Sequence, residues 1–175
     1  MAGEHFEARA RRIVVGLDED GRSKFVSDGM TDTRHVTDAF TRNVIWQATE
    51  VPTPVMAESG LPETAPIEPP PGGYHYIVTT FPPDSEWDYE AGYAKALTEA
   101  DAPNSFTGND IPGMHTTDTV DIVTVISGEI WALVETGETL LKQGDSLVQR
   151  GTKHAWRNRS DAPCTIAAVM VSVVR

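Results

Sequence analysis

The part of the chain that decides the fold class is residues 115–158, which read HTTDTVDIVTVISGEIWALVETGETLLKQGDSLVQRGTKHAWRN. Short runs rich in β-branched and apolar residues alternate here with turn pairs such as Ser127-Gly128 and Gln143-Gly144. Many short strands at close, even spacing with glycine turns are typical of an antiparallel sandwich or barrel, so we predict an all-β fold. The strands predicted in and after this stretch are residues 121–126, 129–135, 139–142, 146–149, 154–158 and 165–174.

Three side chains of this stretch have the chemistry of metal ligands. In an extended chain, residues 115, 117, 119 and 121 share one face, so His115 and Asp121 can face the same interior. Closure of a barrel can bring His154, on another predicted strand, to the same place. Two imidazoles and a carboxylate can hold Fe(II), Mn(II), Zn(II) or Ni(II) with positions open for water or substrate. Taken without other context, the spacing favours histidines on the surface or hydrogen-bonded in the core.

The second half of the stretch carries a recognisable pattern of glycine, histidine and asparagine. In residues 144–158, Gly151, His154 and Asn158 fall in register with G-x5-P-x-G-x2-H-x3-N. Gly144 stands one residue closer than this pattern asks. The pattern is the second sequence motif of the cupin superfamily, and this segment resembles it.

The first cupin motif, H-x-H-x3-E-x6-G, is matched in spacing by His115, Thr117, Asp121 and Gly128. With both motifs present in order, the chain resembles the small single-domain cupins with a type-2 conserved barrel. The resemblance implies a double-stranded β-helix, or jelly-roll barrel, with an N-terminal strand arm. Arms of this kind in similar cupins pair with a neighbouring barrel, so the resemblance also implies a homodimer.

The chain departs from the family pattern at three positions. Thr117 replaces the second histidine of the first motif and is a poor ligand for a divalent transition metal. Asp121 replaces a glutamate and is one methylene shorter, while Gln149 replaces a proline and can point its amide toward the cavity. The resemblance therefore implies a reduced ligand set of His115, Asp121 and His154, or a barrel that has lost its metal.

Two aromatic residues are candidates for the wall of a substrate pocket. Trp156 lies two residues after His154, so on a strand both share a face, although ordinary barrel core is an equally good interpretation. Tyr76, in a predicted strand at residues 74–80, can offer its hydroxyl to a ligand. The alternative interpretation is that its ring packs against neighbours and its hydroxyl contacts solvent, as is usual for tyrosines in strands. His75 alternates with the tyrosines and is predicted on the surface. The predicted substrate pocket consists of Thr117, Gln149, Trp156 and Tyr76.

The first part of the chain is less regular. Residues 13–26 form a predicted hairpin, and residues 44–46 a third strand. Seven prolines between residues 51 and 73 predict a surface connector, with an ordered loop over a pocket mouth as the alternative. Apolar residues at four-residue spacing predict a short helix over residues 88–100. We divide the chain into an N-terminal arm and Pro-rich connector, residues 1–73, and a cupin barrel, residues 74–175.

Composition limits the partners of the protein. The 26 Asp and Glu outnumber the 14 Lys and Arg, giving a formal charge of -12 over 175 residues. This balance argues against binding to nucleic acid phosphates and to anionic membranes. No apolar run is long enough to cross a bilayer, and the N-terminus lacks the apolar core of a signal peptide. Cys164 is the single cysteine, which indicates a reducing compartment. We expect a soluble, cytoplasmic protein whose partner is a small molecule.

Three functional hypotheses remain open. In the first, a divalent metal ion polarises an oxygen of a small organic substrate in a lyase or isomerase, giving decarboxylation, dehydration, isomerisation or cyclisation. In the second, the same three ligands hold Fe(II) as the facial triad of a dioxygenase. The third is a metal-free barrel that binds a small molecule, which Thr117 at the position of a ligand histidine favours.

Overall fold

The computed structural model describes residues 3–99 and 111–175 of the chain. Within these residues the protein is mostly β-structure with one short α-helix, which confirms the predicted fold class. The strands are β1 (Arg11–Leu17), β2 (Ser23–Met30), β3 (Arg34–Val36), β4 (Thr41–Ala48), β5 (Tyr74–Phe81), β6 (Thr119–Ser127), β7 (Glu129–Val134), β8 (Gly137–Lys142), β9 (Ser146–Arg150), β10 (His154–Arg157) and β11 (Cys164–Ser172). The α-helix is α1 (Tyr89–Glu99), and 3-10 turns lie at Glu4–Glu7 and Asp84–Glu86.

Two antiparallel sheets enclose the core. The larger has six strands in the order β3-β4-β5-β11-β6-β9, and the smaller has the order β10-β7-β8. Side chains of both sheets meet in one buried cluster, to which Val123 and Ile166 contribute from the larger sheet and Ile130 and Trp156 from the smaller one. The strands β1 and β2 form a separate two-stranded sheet, as the sequence predicted for the arm.

The larger sheet extends across the domain boundary predicted at residue 74. Strand β4 pairs with β5 along most of its length, and Val44 and Phe40 lie in the core with 0% and 3% of their surface exposed. The neighbouring β3 pairs with β4 and was missed because a three-residue edge strand has no measurable period. Strands β3 and β4 of the N-terminal part are therefore members of the main sheet.

The Pro-rich segment contributes to the core as well. Ala65 and Ile67 are 3% and 2% exposed, and both belong to the main hydrophobic cluster. The carbonyl of Pro66 accepts a hydrogen bond from Nη1 of Arg42 at 3.0 Å. The backbone amide of Asp118 donates to Oε1 of Glu68 at 3.1 Å. This part of the segment is packed in place, contrary to the expectation of a surface connector.

The faces of β5 are the reverse of the sequence prediction. His75, Ile77 and Thr79 are buried, whereas Tyr76 is only half-buried and points to the other side of the sheet. His75, predicted on the surface, is completely buried, and its Nε2 lies 3.0 Å from Sδ of Met170. Alternation separates two faces of a strand, but both faces of β5 contain residues that suit burial, so the pattern alone did not identify the inner one.

The short helix lies close to its predicted position. Tyr93 and Leu97 on one face of α1 are 3% and 1% exposed and pack into the main cluster. Gly92 is required by a close approach, because a Cβ at this position would lie 2.5 Å from Cε3 of Trp87. Among the described residues, no helix combines the length and apolar character that crossing a membrane requires.

The glycine that ends the first motif turns the chain between β6 and β7. Gly128 has φ of 75°, a left-handed conformation that side chains with a Cβ rarely adopt. A Cβ there would also lie 2.7 Å from the carbonyl oxygen of Pro163. Both the turn and the packing against the start of β11 thus require glycine.

Candidate functional site

A cavity of about 60 Å³ lies between the two sheets. Its walls are mostly apolar, with Ile77, Val123, Ile166 and Met170 among the lining residues. Space of this size accommodates a small group of waters or a ligand of a few heavy atoms. Five polar side chains face it: Arg42, Thr79, His115, Asp121 and His154.

The two histidines are brought together by backbone hydrogen bonds. The amide of His115 donates to the carbonyl of His154, and the amide of His154 donates to the carbonyl of His115, each at 3.0 Å. This isolated antiparallel bridge places directly opposite each other two residues that are 39 positions apart in sequence. Their ring centroids are 4.3 Å apart.

Both imidazoles are held in the tautomer that suits metal binding. Nδ1 of His115 lies 2.8 Å from the carbonyl oxygen of Gly113, and Nδ1 of His154 lies 3.0 Å from that of Thr152. A carbonyl oxygen only accepts, so each Nδ1 carries the hydrogen and donates it. In the neutral ring, Nε2 then keeps its lone pair free for an ion or a proton donor.

Burial keeps both rings neutral. It lowers the pKa of His115 to about 3, with further lowering from the neighbouring His154. Burial also lowers the pKa of His154 below its ordinary value. Two adjacent histidines therefore do not repel each other as cations at neutral pH, and both Nε2 atoms remain available as donors of an electron pair.

Asp121 faces the same cavity from β6. Its side chain is 4% exposed, and Oδ1 has no hydrogen-bond partner. Burial raises the pKa of this carboxyl to about 6, against the lowering effects of a hydrogen bond from Thr119 and of the charge on Arg42. An unpartnered buried carboxylate oxygen costs free energy unless it meets a cation or a donor.

Two of the three predicted metal donors, the histidines, have the arrangement of metal-binding imidazoles. Both supply a free Nε2 with the other ring nitrogen fixed by a backbone carbonyl, which is the usual support of a metal-bound imidazole. Across residues 3–99 and 111–175, no group of three or more His, Cys, Asp or Glu side chains is arranged to hold an ion. The role of Asp121 as third ligand thus stays a prediction, and its side chain is shorter than the family's glutamate.

The four predicted pocket residues have different positions. Trp156 lines the cavity, with its ring 6.1 Å from that of His154. Thr117 is 1% exposed and its hydroxyl is hydrogen-bonded to that of Thr119 at 2.8 Å, outside the cavity lining. Tyr76 lies on the opposite face of β5.

Gln149 supports a histidine and does not line the cavity. Its Nε2 donates to the carbonyl oxygen of Thr152 at 2.9 Å, and this oxygen also accepts from Nδ1 of His154. The amide also contacts the hydroxyl of Thr152. Gln149 therefore orients the backbone group that fixes the tautomer of His154.

Sequence reasoning missed two polar residues of the cavity, Thr79 and the charged Arg42. Arg42 is 7% exposed, on β4, where it is paired directly with Thr79 of β5. The available signal was its position two residues before the buried Val44, which places both on one face of a strand. From the sequence alone, an arginine at such a position is predicted to be exposed, because its burial depends on the neighbouring sheet.

The chain is similar to known proteins over parts of its length. Residues 106–172 match the Cupin domain family. A solved structure of a protein with a double-stranded β-helix domain from Klebsiella pneumoniae has a TM-score of 0.46 and 16% identity, covering 80% of this chain and 83% of that chain.

Two fungal proteins share a short segment with the chain. Phomopsin biosynthesis cluster protein C' of Diaporthe leptostromiformis is 52% identical over 48 residues, which are 27% of this chain and 25% of that protein. Oryzines biosynthesis cluster protein J of Aspergillus oryzae is 56% identical over 50 residues, 28% of each. The match thus spans about a quarter of the length of these curated relatives.

The two antiparallel sheets enclose a small cavity that both histidines line. The family match supports a cupin type-2 domain over residues 106–172, which are less than half of the chain.

Proposed function

We propose that the protein is a metal-dependent cupin enzyme that acts on a small organic molecule as a lyase or isomerase, by decarboxylation, dehydration or cyclisation. The observation that carries this proposal is the pair His115 and His154, whose rings are 4.3 Å apart with both Nδ1 atoms bound to backbone carbonyls. Such a pair presents two free Nε2 donors to one cavity.

Each residue has a defined role in this proposal. His115 and His154 hold the ion through Nε2, and Asp121 is the third donor. Bound there, a divalent metal supplies a Lewis acid for an oxygen of the substrate. The Asp121 carboxyl, whose pKa is raised to about 6, releases its proton before it can bind a cation, so metal affinity falls below that pH. The apolar walls exclude water and orient the substrate.

A second function, a metal-free cupin that binds a small molecule, is supported by Thr117. This residue stands at the position of a ligand histidine, and its hydroxyl is hydrogen-bonded to the hydroxyl of Thr119. Within the described residues no three-ligand cluster is present, which also favours this alternative. In that case the two histidines would accept hydrogen bonds from the ligand through Nε2.

Metal content distinguishes the two functions. Protein purified without a His tag is expected to hold about one divalent ion per chain, measured by inductively coupled plasma mass spectrometry. His115→Ala and His154→Ala each remove a donor and should lower the stoichiometry at least about tenfold, while His35→Ala, outside the cavity, should leave it unchanged. Substoichiometric metal in the wild type, with ligand binding unaffected by His115→Ala, would contradict the enzyme proposal.

The identity of the ion then limits the reaction. If iron is found, oxygen consumption with candidate substrates separates an Fe(II) dioxygenase from a lyase. Zinc has no redox chemistry and argues against an oxygenase, whereas manganese leaves it open.

A further inference from the structure

We propose that Arg42 and Thr79 form a binding site for the carboxylate of the substrate, so that the protein acts on a small monocarboxylic acid with an apolar body. This inference deepens the proposed function and rests on it, because it names the substrate class of the same cavity. Neither residue belongs to either cupin motif matched by the sequence.

The two residues are placed side by side by the sheet. Arg42 on β4 and Thr79 on β5 are direct cross-strand partners, and both line the cavity. They are 7% and 3% exposed, so both polar groups are removed from bulk water. Paired residues on neighbouring antiparallel strands lie close enough to contact one ligand group together.

Both residues have unused hydrogen-bonding capacity. Arg42 donates from Nη1 to the carbonyl of Pro66 at 3.0 Å, but its buried Nε has no partner. The buried hydroxyl oxygen of Thr79 also has no partner. The guanidinium lies 5.2 Å from the ring centroid of Phe40, which is a cation–π contact. This contact provides no hydrogen-bond acceptor for the N–H groups of Arg42.

Among the described residues, no carboxylate forms an ion pair with Arg42. In the part of the chain that the structure describes, no Asp or Glu lies within ion-pair distance of its guanidinium. Asp121 acts on it only through space, as the charge that opposes the effect of burial. Burial lowers the pKa of Arg42 to about 10, which still leaves the group positively charged at neutral pH.

A carboxylate is the ligand group that these observations favour. A buried charge without a partner costs several kcal/mol, and an anion that enters the cavity removes much of this cost. The planar guanidinium matches a carboxylate through paired N–H donors, and the Thr79 hydroxyl adds one more. A single arginine suits one negative charge, and the about 60 Å³ between walls such as Ile77 and Met170 suits a short aliphatic body.

The test compares propionate with propionamide, which has nearly the same shape and no charge. Isothermal titration calorimetry on the full chain should show propionate binding at least about tenfold more tightly than propionamide. Arg42→Gln should weaken propionate binding at least about tenfold and leave propionamide unchanged, and Arg42→Lys should restore part of the loss. Thr79→Val should have a smaller effect in the same direction, while Arg12→Gln, in the arm, should have none.

The same titration after treatment with EDTA separates this inference from the metal proposal. Arg42-dependent binding that survives metal removal supports the inference even if no metal is ever found at the histidines. Binding that disappears with the metal and persists in Arg42→Gln assigns the carboxylate to the ion and overturns the inference. Equal affinities of wild-type protein for propionate and propionamide overturn it as well, without reliance on any variant.

Discussion

At the scale of single residues, burial moves the titratable groups around the cavity toward their neutral forms. The pKa values of His75 and His115 are lowered to about 3, and that of Asp121 is raised to about 6. The interior therefore holds uncharged imidazoles beside Arg42, whose lowered pKa of about 10 still leaves it charged at neutral pH. These shifts make the stability of the fold depend on pH.

His75 provides a test of this dependence outside the proposed metal site. Burial, and secondarily the charge on Arg42, lowers its pKa to about 3 from the ordinary 6.5. The unfolded chain takes up a proton below pH 6.5 that the folded protein refuses until about pH 3. The contribution of His75 to stability is thus complete above pH 6.5 and is lost as the pH falls toward 3, by about 2 kcal/mol between pH 7 and pH 5.

The measurement is urea unfolding of wild type and His75→Gln at both pH values. Other groups are common to the two proteins, so their effects cancel in the difference. The free energy of unfolding of His75→Gln should decrease less than that of wild type between pH 7 and pH 5, by about 2 kcal/mol. Parallel decreases would show that His75 is protonated to the same extent in both states.

At the scale of elements, the Pro-rich segment is the clearest departure from expectation. Proline excludes regular structure, but it does not exclude burial of the side chains between prolines. Ile67 enters the core and lines the cavity, and the carbonyl of Pro66 binds the guanidinium of Arg42. The segment thereby connects the packing of the barrel with the proposed carboxylate site.

Substitution of Ile67 tests this role. Ile67→Ala removes buried methyl groups beside the cavity and should lower the free energy of unfolding by about 2–4 kcal/mol. Val55→Ala is the matched control, because Val55 lies in the same segment with 96% of its surface exposed and should change stability by less than about 0.5 kcal/mol. Equal, small effects in urea unfolding would mean that the segment does not contribute to the core in solution.

At the scale of the whole molecule, the hairpin β1–β2 exposes several large apolar side chains to solvent. On β1, Val15 is 60% exposed, and on β2, Phe25 is 75% exposed. Val14 and Val15 of β1 both line a groove beside Trp46. Val15 and Phe25, which are cross-strand partners in this hairpin, thus form an uncovered apolar surface, which is typical of an interaction site.

We expect this surface to form the homodimer that the family resemblance implies. Phe25→Lys should raise the dimer dissociation constant at least about tenfold in sedimentation velocity. The substitution places a charge where the expected dimer would bury an aromatic side chain. Val174→Lys, at a C-terminal position that is 97% exposed, is the control and should leave the constant unchanged. A wild-type protein that sediments as a monomer at micromolar concentration would contradict the expected dimer.

Much of the fold was predictable because it depends on short-range patterns. Alternating apolar runs and glycine turns predicted ten of the eleven strands that the described residues contain, missing only β3. The spacing of the cupin motifs indicated His115 and His154 as candidate ligands and Gly128 as a turn residue. These features follow from a few neighbouring residues, so the amino-acid sequence alone determined them.

The content of the cavity was decided only by the tertiary structure. The inward face of β5, the burial of Ile67 and the burial of the Arg42 guanidinium depend on strands distant in sequence. Alternation shows that Tyr76 and Thr79 lie on opposite faces but not which face is covered. Which face of a strand is buried depends on how the sheets pack together. Burial in turn determines which polar groups lose their contact with water and need another hydrogen-bond partner.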